Sequence, residues 1–325
     1  MRRLLLILAL CLLPIFAYAD LEVHFVDVGH GDCTILISNG EVAIVDGGPV
    51  GASETVFNYI KYLGITEIKY AFATHPETDH VGGLPAAFHA AKVHALYASV
   101  ESSDNNRFNV LLETAADFAV PLTVAHVGDE FPLGDATITV LSPSINYNSI
   151  NDRSLVLRIT SDSMTVLLCG DAGANVEKDL INSGVELTAD VLRVGHHGSG
   201  TSTSDDFLRA VSPRYAVISS ADRYGDQQID MMVRLIENRV TVLCTDYLGT
   251  FALNGNVIVS TKTAHTDPYP LVGNRNSRVF HYGTCESVGD MKEGNKILFL
   301  TIEDAVEKGY KPCKRCHPTP KKAQP

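Results

Sequence analysis

The chain has 325 residues, of which 45% are hydrophobic and 20% charged, and its formal net charge at pH 7 is −12. These values are typical of a globular protein with one large domain and a small one, and no internal repeat or low-complexity tract is visible in the sequence. From Thr261 onward, eleven basic residues stand against seven acidic ones, a net charge of +4; the rest of the chain carries fifteen against thirty-one, a net charge of −16. Such an acidic body opposes nonspecific adhesion to DNA.

The N-terminal segment has the pattern of a signal peptide. A basic start precedes an apolar run over residues 4–17, and a small-residue site ends at Ala19, just before Asp20. We therefore predict a signal peptide over residues 1–19 and an exported mature chain, periplasmic or secreted. The alternative is a retained membrane anchor, but Pro14 interrupts the run, which is also short for a span. No second apolar span follows, so we expect no stable membrane span in the mature chain.

The first half of the mature sequence combines strand-like segments with one helix. Short apolar runs predict strands, and an apolar period near 3.6 residues predicts a helix. The predicted helix covers residues 54–63, with Gly64 as its stop signal. The predicted strands cover residues 21–28, 33–37, 42–45 and 70–73.

The second half also alternates predicted strands and helices, but its sequence does not repeat that of the first half. Ser204 is the predicted N-cap of a helix that continues through Ala210, and residues 229–237 form another. Alternating strands and helices predict an α/β fold and nothing finer. The predicted strands cover residues 136–141, 155–160, 165–168, 191–194, 216–219 and 240–244.

A cluster of metal-ligand side chains follows the strand at residues 70–73. His75, Glu77, Asp79 and His80 lie within six residues, on the loop leaving the carboxyl end of that strand, where α/β folds commonly build their sites. Imidazole and carboxylate groups suit zinc, manganese or iron, and the absence of a nearby Cys argues against a closed structural zinc site. The alternative is a solvated polar loop. The pattern favours a catalytic metal centre.

Two further strand ends supply candidate ligands. Asp171 follows the predicted strand at residues 165–168, and His196 follows the one at residues 191–194. The alternatives are a carboxylate that caps the next helix and a loop imidazole with ordinary hydrogen bonds. Asp46, also at a strand end, is expected to orient a ligand rather than to bind metal itself.

These motifs occur in the order found in one hydrolase family. The pattern H-x-E-x-D-H-x-G-G at residues 75–83, together with residues 46–48, 169–171 and 196–199, resembles the signature of the metallo-β-lactamase fold. Within that superfamily, residues 21–260 are most similar to the soluble hydrolase domain of the ComEC competence proteins. The resemblance implies a four-layer αβ/βα sandwich. The distinguishing matches are residues 26–32, 151–157, 197–203 and 223–225.

The resemblance also implies how the ligands divide between metal ions. Asp171 would bridge two ions, and Asp46 would orient a ligand. We therefore expect one or two divalent ions, zinc or manganese, in this domain. One ion would be held by His75 and Glu77, and the other by Asp79, His80 and His196.

Two departures from the family pattern bear on this site. Many members carry a further His between the first cluster and the bridging Asp, but the only candidate here, His126, lacks a matching setting. One metal position is therefore expected to be ligand-poor, labile or empty. In addition, Asp226 and Gln227 stand where ComEC-type sequences often have His-Pro, so the rate or the substrate is expected to differ.

The remaining polar residues of these motifs have expected roles in hydrolysis. Asp79 is expected to orient the attacking water. His197 is expected to contact a phosphate oxygen or to protonate the leaving oxygen, with a structural hydrogen bond to the backbone as the alternative. Ser199, Thr201 and Tyr224 are candidate substrate contacts, although a helix-capping loop explains the first two equally well.

The predicted function is that of an exported, metal-dependent hydrolase. The expected activity is that of a phosphodiesterase or nuclease that acts on DNA or RNA through a metal-activated water, which makes nucleic acid the expected partner. The first alternative is a hydrolase of small esters, lactones or cyclic phosphodiesters. The second is a noncatalytic nucleic-acid-binding protein. The fold alone does not choose among these because it hosts several chemistries.

The C-terminal residues resemble the zinc-binding domain of Ada-type DNA-repair proteins. His281, Cys285, Cys313 and Cys316 form H-x3-C and C-x2-C pairs, which fit one closed structural zinc site. The alternative is a disulfide, but this pairing would leave a third cysteine unpaired. Because His281 stands where Ada proteins carry their methyl-accepting Cys, methyl transfer is not expected.

The sequence thus predicts a large domain followed by a small one. A polar segment broken by Pro268 and Pro270 suits a linker between them. The oligomeric state is left open. The predicted divisions are a signal peptide at 1–19, the hydrolase domain at 20–260, a linker at 261–277, a small α+β zinc module at 278–318 and a basic tail at 319–325.

Overall fold

Two large β-sheets and one four-stranded sheet hold most of the strands in the computed structural model. It describes residues 20–143, 147–219, 231–232, 234–235, 237–255, 257–261, 271–282, 285–299, 302–316 and 318. The predicted signal peptide, the predicted substrate contact Tyr224 and the predicted basic tail lie outside these residues. Within them, no helix is both long and apolar enough to cross a membrane.

The strands, numbered along the chain, are short. They are β1 (Glu22–Phe25), β2 (Thr34–Ser38), β3 (Glu41–Val45), β4 (Glu67–Ile68), β5 (Tyr70–Ala73), β6 (Lys92–Val93), β7 (Leu96–Ala98), β8 (Leu122–Val124), β9 (Glu130–Leu133), β10 (Ala136–Ser142), β11 (Val156–Thr160), β12 (Thr165–Leu168), β13 (Val191–Arg193), β14 (Tyr215–Ile218), β15 (Thr241–Cys244), β16 (Phe251–Asn254), β17 (Val257–Ser260), β18 (Leu271–Asn274), β19 (Val279–Tyr282), β20 (Lys296–Phe299) and β21 (Lys311–Pro312).

The helices lie between these strands. Residues 231, 232, 234, 235 and 237 are also helical. The α-helices are α1 (Ser53–Tyr62), α2 (Thr78–Val81), α3 (Pro85–Ala90), α4 (Asn106–Asp117), α5 (Ala174–Ser183), α6 (Asp205–Val211), α7 (Thr245–Leu248), α8 (Glu286–Gly289) and α9 (Ile302–Glu307). Short 3-10 helices cover Val50–Ala52, Asn151–Arg153, Gly195–Gly198 and Glu293–Asn295.

The two large sheets face each other. The first has the order β17-β16-β1-β2-β3-β5-β7-β8, and the second has the order β15-β14-β13-β12-β11-β10-β9. Phe25 and Phe72 of the first sheet share one buried cluster with Leu157 and Val217 of the second. These side chains form one continuous core between the two sheets. Burying each side chain of this size contributes about 1.5–3 kcal/mol to stability.

Helices cover the outer face of each sheet. On the first sheet, Val56 of α1 and Phe108 of α4 pack in a buried cluster with Ile44. On the second, Val176 of α5 and Phe207 of α6 pack in another buried cluster. The layers therefore run helix, sheet, sheet, helix, which confirms the predicted four-layer sandwich. Each strand and helix predicted for residues 21–219, and the strand predicted at residues 240–244, is present, with bounds that differ by no more than three residues.

The small C-terminal sheet has the order β20-β18-β19-β21. Its strand β18 lies inside residues 261–277, which the sequence assigns to a linker, so that assignment is wrong for Leu271–Asn274. The apolar Leu271 and Val272 are buried and form the strand, while the polar residues after Asn274 turn the chain into β19. The core of this sheet includes Phe280, Phe299 and Tyr310.

Candidate metal centre

Strand ends from both large sheets meet at one edge of the sandwich. In the first sheet, β3 and β5 pair in parallel with Val45 opposite Phe72. In the second, β12 and β13 pair in parallel with Leu168 opposite Arg193. Because parallel strands end at the same edge, the loops that follow them lie side by side. The side chains on these loops are those of Asp46, His75 to His80, Asp171, His196 and His197.

A first group of ligand atoms comprises His75, Glu77 and Asp171. Nε2 of His75 lies 3.9 Å from Oε2 of Glu77 and 3.8 Å from Oδ2 of Asp171. This nitrogen is buried and has no hydrogen-bond partner among the described residues. Burial, and then the charge of His80, lowers the pKa of His75 to about 3, so the imidazole is neutral at pH 7. A neutral imidazole whose Nε2 has no hydrogen bond and faces two carboxylates fits a divalent metal.

A second group surrounds the other oxygen of Asp171. Nε2 of His80 lies 3.1 Å from Oδ1 of Asp171 and 3.3 Å from Nε2 of His197. The same nitrogen of His197 lies 3.3 Å from Oδ2 of Asp79. Ligands about 2.0–2.2 Å from one metal are separated by distances of this size. The two groups therefore share Asp171, as the resemblance predicts for a bridging carboxylate.

The histidine of the second group differs from the predicted one. The sequence assigns His196 to Asp79 and His80, but His197 lies there, with its side chain only 2% exposed. Nε2 of His196 instead lies 3.8 Å from Oδ2 of Asp171 and 3.3 Å from Nδ2 of Asn151. Both histidines have positive φ, so their side chains diverge in a way that strand position alone does not predict.

The buried position of His197 also bears on its predicted contact with substrate. Its Nδ1 lies 2.9 Å from the carbonyl oxygen of Ser219, which is the structural hydrogen bond to the backbone that was the alternative. Nε2 of the same ring faces the cluster, 3.3 Å from Oδ2 of Asp79. His197 therefore lies among the ligand atoms of the second group, and its predicted contact with substrate stays a prediction.

Asp46 contacts the back of the second group. Its Oδ2 lies 2.8 Å from Nδ1 of His80, and its Oδ1 accepts the backbone N–H of Thr74 at 2.8 Å. This is the place expected of a residue that orients a ligand. Burial lowers the pKa of His80, but the charges of Asp171 and Asp46 outweigh it and hold that pKa well above its usual value.

Two further residues of the site carry no predicted role. Arg193 is buried, and its guanidinium pairs with Asp32 and donates to the carbonyl oxygens of Gly170 and Val194 at 2.7 and 2.6 Å. Nη2 of Arg193 also lies 2.9 Å from Nδ1 of His197. The ion pair of Arg193 and Asp32 therefore connects three loops of the site by direct contacts. The sequence signal that could have identified Arg193 is its charge within the otherwise apolar predicted strand at residues 191–194.

The solvent side of the centre is polar. Nε2 of His30 lies 3.7 Å from Oδ2 of Asp79, and its ring centre lies 4.5 Å from that of His197. Beside Asp171 and His196 lies a cavity of about 290 Å³. The predicted substrate contact Thr201 lines it, and Oγ of Ser199 lies 3.0 Å from Oγ1 of Thr201. The other polar side chains of its lining are Ser149, Asn151, Asp152 and Asn175.

The C-terminal sheet holds a separate metal-ligand cluster. Ligand atoms of His281, Cys285, Cys313 and Cys316 all lie within 4.8 Å of one another, which fits a closed tetrahedral zinc site. The backbone N–H of Arg315 donates to Sγ of Cys313 at 3.3 Å. Burial raises the pKa of Cys313, but hydrogen bonds from the backbone outweigh it, so that pKa is lowered and the thiolate form is favoured.

Comparison with known families agrees with this division. Residues 26–221, more than half of the chain, match the family model described as Metallo-beta-lactamase superfamily. Residues 258–319 match the one described as Metal binding domain of Ada. Among solved structures, the metallo-beta-lactamase fold protein YhfI from Bacillus subtilis has a TM-score of 0.50 at 14% identity, over 74% of this chain and 99% of that one.

Curated relatives are longer than this chain. ComE operon protein 3 of Bacillus subtilis (strain 168) is 28% identical over 250 residues, which are 70% of this chain and 32% of that protein. Recombination protein 2 of Haemophilus influenzae is 31% identical over 205 residues, which are 61% of this chain and 24% of that protein. The chain thus spans a third or less of the length of these relatives. It belongs to the metallo-β-lactamase superfamily, as a metal-dependent hydrolase related to competence proteins and joined to a C-terminal Ada-type zinc-binding domain.

Proposed function

We propose that the chain is a metal-dependent phosphodiesterase that cleaves DNA or RNA. The observation that carries the proposal is the pair of ligand groups that meet at the two oxygens of Asp171. Two divalent ions held there, zinc or manganese, would lower the pKa of water and offset the negative charge that develops on an attacked phosphoryl group. His75 and Glu77 would hold the first ion, and Asp79, His80 and His197 would hold the second.

The chain's own residues would orient the water and the substrate. The carboxylate of Asp79 is a quarter exposed, so it can accept a hydrogen bond from water on the solvent side while it serves the second group. Asn151 and Thr201 line the adjoining cavity and offer an amide and a hydroxyl to a phosphate or sugar oxygen. The cavity places these groups beside the ligand cluster, which would favour one orientation of the bound ester.

Nucleic acid is the proposed substrate for two reasons outside the cluster. The matched relatives include proteins named Recombination protein 2 and Competence protein ComA, names that connect them with DNA. The second reason is the C-terminal domain, whose basic residues oppose the acidic charge of the main domain. We infer that its zinc stabilises a sheet too small to form a core unaided and that this module helps to place nucleic acid near the cavity.

Export of the chain is part of the proposal. It is supported by the apolar run and small-residue site that end at Ala19. N-terminal sequencing of the protein recovered from outside the cytoplasm tests it. We expect a mature chain that begins at Asp20. A chain that keeps residues 1–19 would contradict the inference.

A second candidate is a hydrolase of small esters, lactones or cyclic phosphodiesters. The composition of the cavity favours it, since its lining includes the carboxylates of Asp152 and Asp171 and no Lys or Arg among the described residues. A long polyanion therefore finds no cationic side chain in this lining. A single phosphodiester or a neutral ester needs none, because the metal ions would supply the positive charge.

A panel of substrates separates the two candidates. The mature chain, loaded with manganese or zinc, is given single-stranded DNA, duplex DNA, RNA, cyclic dinucleotides, a nitrophenyl phosphodiester and a lactone. The nuclease proposal predicts internal or terminal cleavage of a polynucleotide at a kcat/KM above that for each small substrate. Turnover of small substrates alone would support the second candidate. Salt-dependent binding of DNA without turnover of any substrate would support a noncatalytic binding protein.

A further inference from the structure

Two adjacent histidines of the metal centre have an unusual backbone. His196 has φ 49° and ψ 51°, and His197 has φ 51° and ψ 27°. Both lie in the left-handed region, which non-glycine residues rarely adopt and which is costly for them. Two such residues in succession persist only where the surroundings fix them, and backbone strain of this kind concentrates at functional sites.

Hydrogen bonds on both sides fix this conformation. The backbone N–H of His196 donates to the carbonyl oxygen of Gly170 at 3.0 Å, and its carbonyl oxygen accepts from the N–H of Ser199 at 2.8 Å. The hydroxyl of Ser202 donates to the carbonyl oxygen of Gly195 at 2.6 Å. A Cβ on Gly195 would lie 2.5 Å from a backbone oxygen of Ala172, so the loop fits only with glycine there.

The consequence is that adjacent imidazoles reach opposite oxygens of one carboxylate. Nε2 of His196 lies 3.8 Å from Oδ2 of Asp171, while Nε2 of His197 lies 3.5 Å from Oδ1. Nε2 of His75 also lies 3.8 Å from Oδ2. In an extended backbone, adjacent side chains point to opposite faces, so two neighbours would not flank one buried carboxylate in this way.

We propose that His196 is a ligand of the first metal position, beside His75, Glu77 and Asp171, while its neighbour His197 serves the second. This inference rests on the proposed pair of metal positions and not on any substrate. It supplies an imidazole to the position that the sequence leaves short of a ligand, because His126 lies outside the cluster. The strained backbone is then the means by which one loop serves two ions.

Asn151 is the residue that His196 would leave when metal binds. Its amide Nδ2 lies 3.3 Å from Nε2 of His196, the nitrogen that would face the metal. The imidazole is about a third exposed, so only part of its surface is packed against neighbours that would oppose a turn toward Oδ2 of Asp171. Nδ1 would then carry the hydrogen, and Oγ1 of Thr201, at 3.5 Å, is the acceptor on that side.

Manganese counting with paired variants tests the assignment. The mature chain and its His196→Asn variant are stripped of metal, reloaded with manganese and analysed for bound manganese by mass spectrometry and for spin coupling by electron paramagnetic resonance. Asn is chosen because it tolerates the left-handed conformation. We expect two coupled ions in the parent and one uncoupled ion in the variant, with first-position affinity lowered by roughly 100-fold or more, since even outer partners of a ligand are worth 10–100-fold.

Double variants identify which position is lost. His196→Asn combined with His75→Asn should lose no more manganese than His196→Asn alone, because both residues serve one ion. His196→Asn combined with His80→Asn should lose both ions. His94→Asn, at an exposed hydrogen bond with Glu67, is the matched control and should keep both. Hydrogen-exchange protection of β12 and β13, measured on the same samples, reports that the sandwich of each variant is folded.

Three results would overturn the assignment. They are two coupled ions retained in His196→Asn, both ions lost in the double variant with His75→Asn, or a single ion in the parent chain. All three are read without substrate. A protein that binds two ions as described but cleaves no nucleic acid would contradict the proposed nuclease activity and leave the ligand assignment standing.

Discussion

Oδ2 of Asp46 lies 2.8 Å from Nδ1 of His80, and this contact fixes which nitrogen of the buried imidazole faces the metal centre. Asp46 itself has φ 60° and is held by the backbone N–H and hydroxyl of Thr74. Its carboxylate therefore cannot turn away without losing several hydrogen bonds. Nε2 of His80 is left to face Asp171 and His197.

Replacing this carboxylate with an amide should weaken metal binding. Asp46→Asn keeps the shape but removes the negative charge behind His80, so we expect manganese affinity at the second position to fall about 10–100-fold. Titration of the metal-free protein with manganese measures it. Asp135→Asn, at an exposed carboxylate, should have no effect. An unchanged affinity in Asp46→Asn would mean that the contact with His80 does not orient a ligand.

Metal binding should depend on pH through His80. In the metal-free protein its pKa is raised by Asp171 and Asp46 against the effect of burial, so its proton must leave when metal binds. Protonated His80 stabilises the folded, metal-free protein. This contribution is fully present below the unfolded pKa of about 6.5 and is lost as pH rises through the pKa of His80 in the folded protein. Manganese affinity should therefore increase from pH 6 to pH 8.

Calorimetry in buffers of different ionisation enthalpy measures this proton directly. We expect release of about one proton from His80 per manganese bound at the second position near pH 7. In Asp46→Asn the pKa of His80 should be lower, and fewer protons should be released. A manganese affinity that is constant from pH 6 to pH 8 would show that His80 is already neutral in the metal-free protein.

The buried pair of Arg193 and Asp32 should matter for stability. Arg193→Met leaves the carboxylate of Asp32 buried without its partner, which costs about 3–5 kcal/mol. Arg193→Met combined with Asp32→Leu removes both charges and should recover much of that loss. Urea unfolding of the metal-free protein measures both. If the double variant is no more stable than Arg193→Met, packing rather than the unpaired charge explains the loss.

A matched surface pair provides the control for that comparison. Arg209 pairs with Asp206 on α6, where both side chains are more than half exposed. Exposed pairs of this kind contribute about 0–1 kcal/mol. Arg209→Met should therefore change the free energy of unfolding by less than about 1 kcal/mol. If Arg209→Met lost as much unfolding free energy as Arg193→Met, the loss in Arg193→Met could not be attributed to the burial of its charged partner.

Loss of one thiolate should unfold the C-terminal module alone. Cys313→Ser removes a ligand from the cluster with His281, Cys285 and Cys316, and small zinc modules depend on their metal for folding. We expect the variant to lose its zinc and the hydrogen-exchange protection of β18 and β19, while the sandwich stays protected. Lys314→Ala, at an exposed position between two ligands, should keep both. Protection of β18 without zinc would contradict a structural role for the metal.

The sequence predicts most of the sandwich because its signals are local. Apolar runs such as residues 165–168 form β12, and Ser204 accepts the N–H of Phe207 as the cap of α6. The grouping of His75 and Glu77 follows from their place after β5. The four-layer arrangement needed the resemblance, because alternation of strands and helices alone gives no order of the layers.

Which of His196 and His197 lies beside Asp79 was not predictable from the sequence. An imidazole can lie on either side of a loop, and the side is set by backbone angles that depend on contacts with Gly170 and Ser199. β18 is another case, since it has only four residues and its partners β19 and β20 lie further along the chain. Signals that depend on distant partners are weak in a single sequence.

Cleavage of nucleic acid by the mature chain and its Asp171→Asn variant is the most direct test of the proposed activity. Both proteins, with His94→Asn as a control, are incubated with single-stranded and duplex DNA and with RNA in the presence of manganese or zinc. The proposal predicts metal-dependent cleavage by the parent and the control, and none by Asp171→Asn, which changes the carboxylate shared by both ligand groups. Equal cleavage by Asp171→Asn, or no cleavage by a parent chain with metal bound, would contradict it.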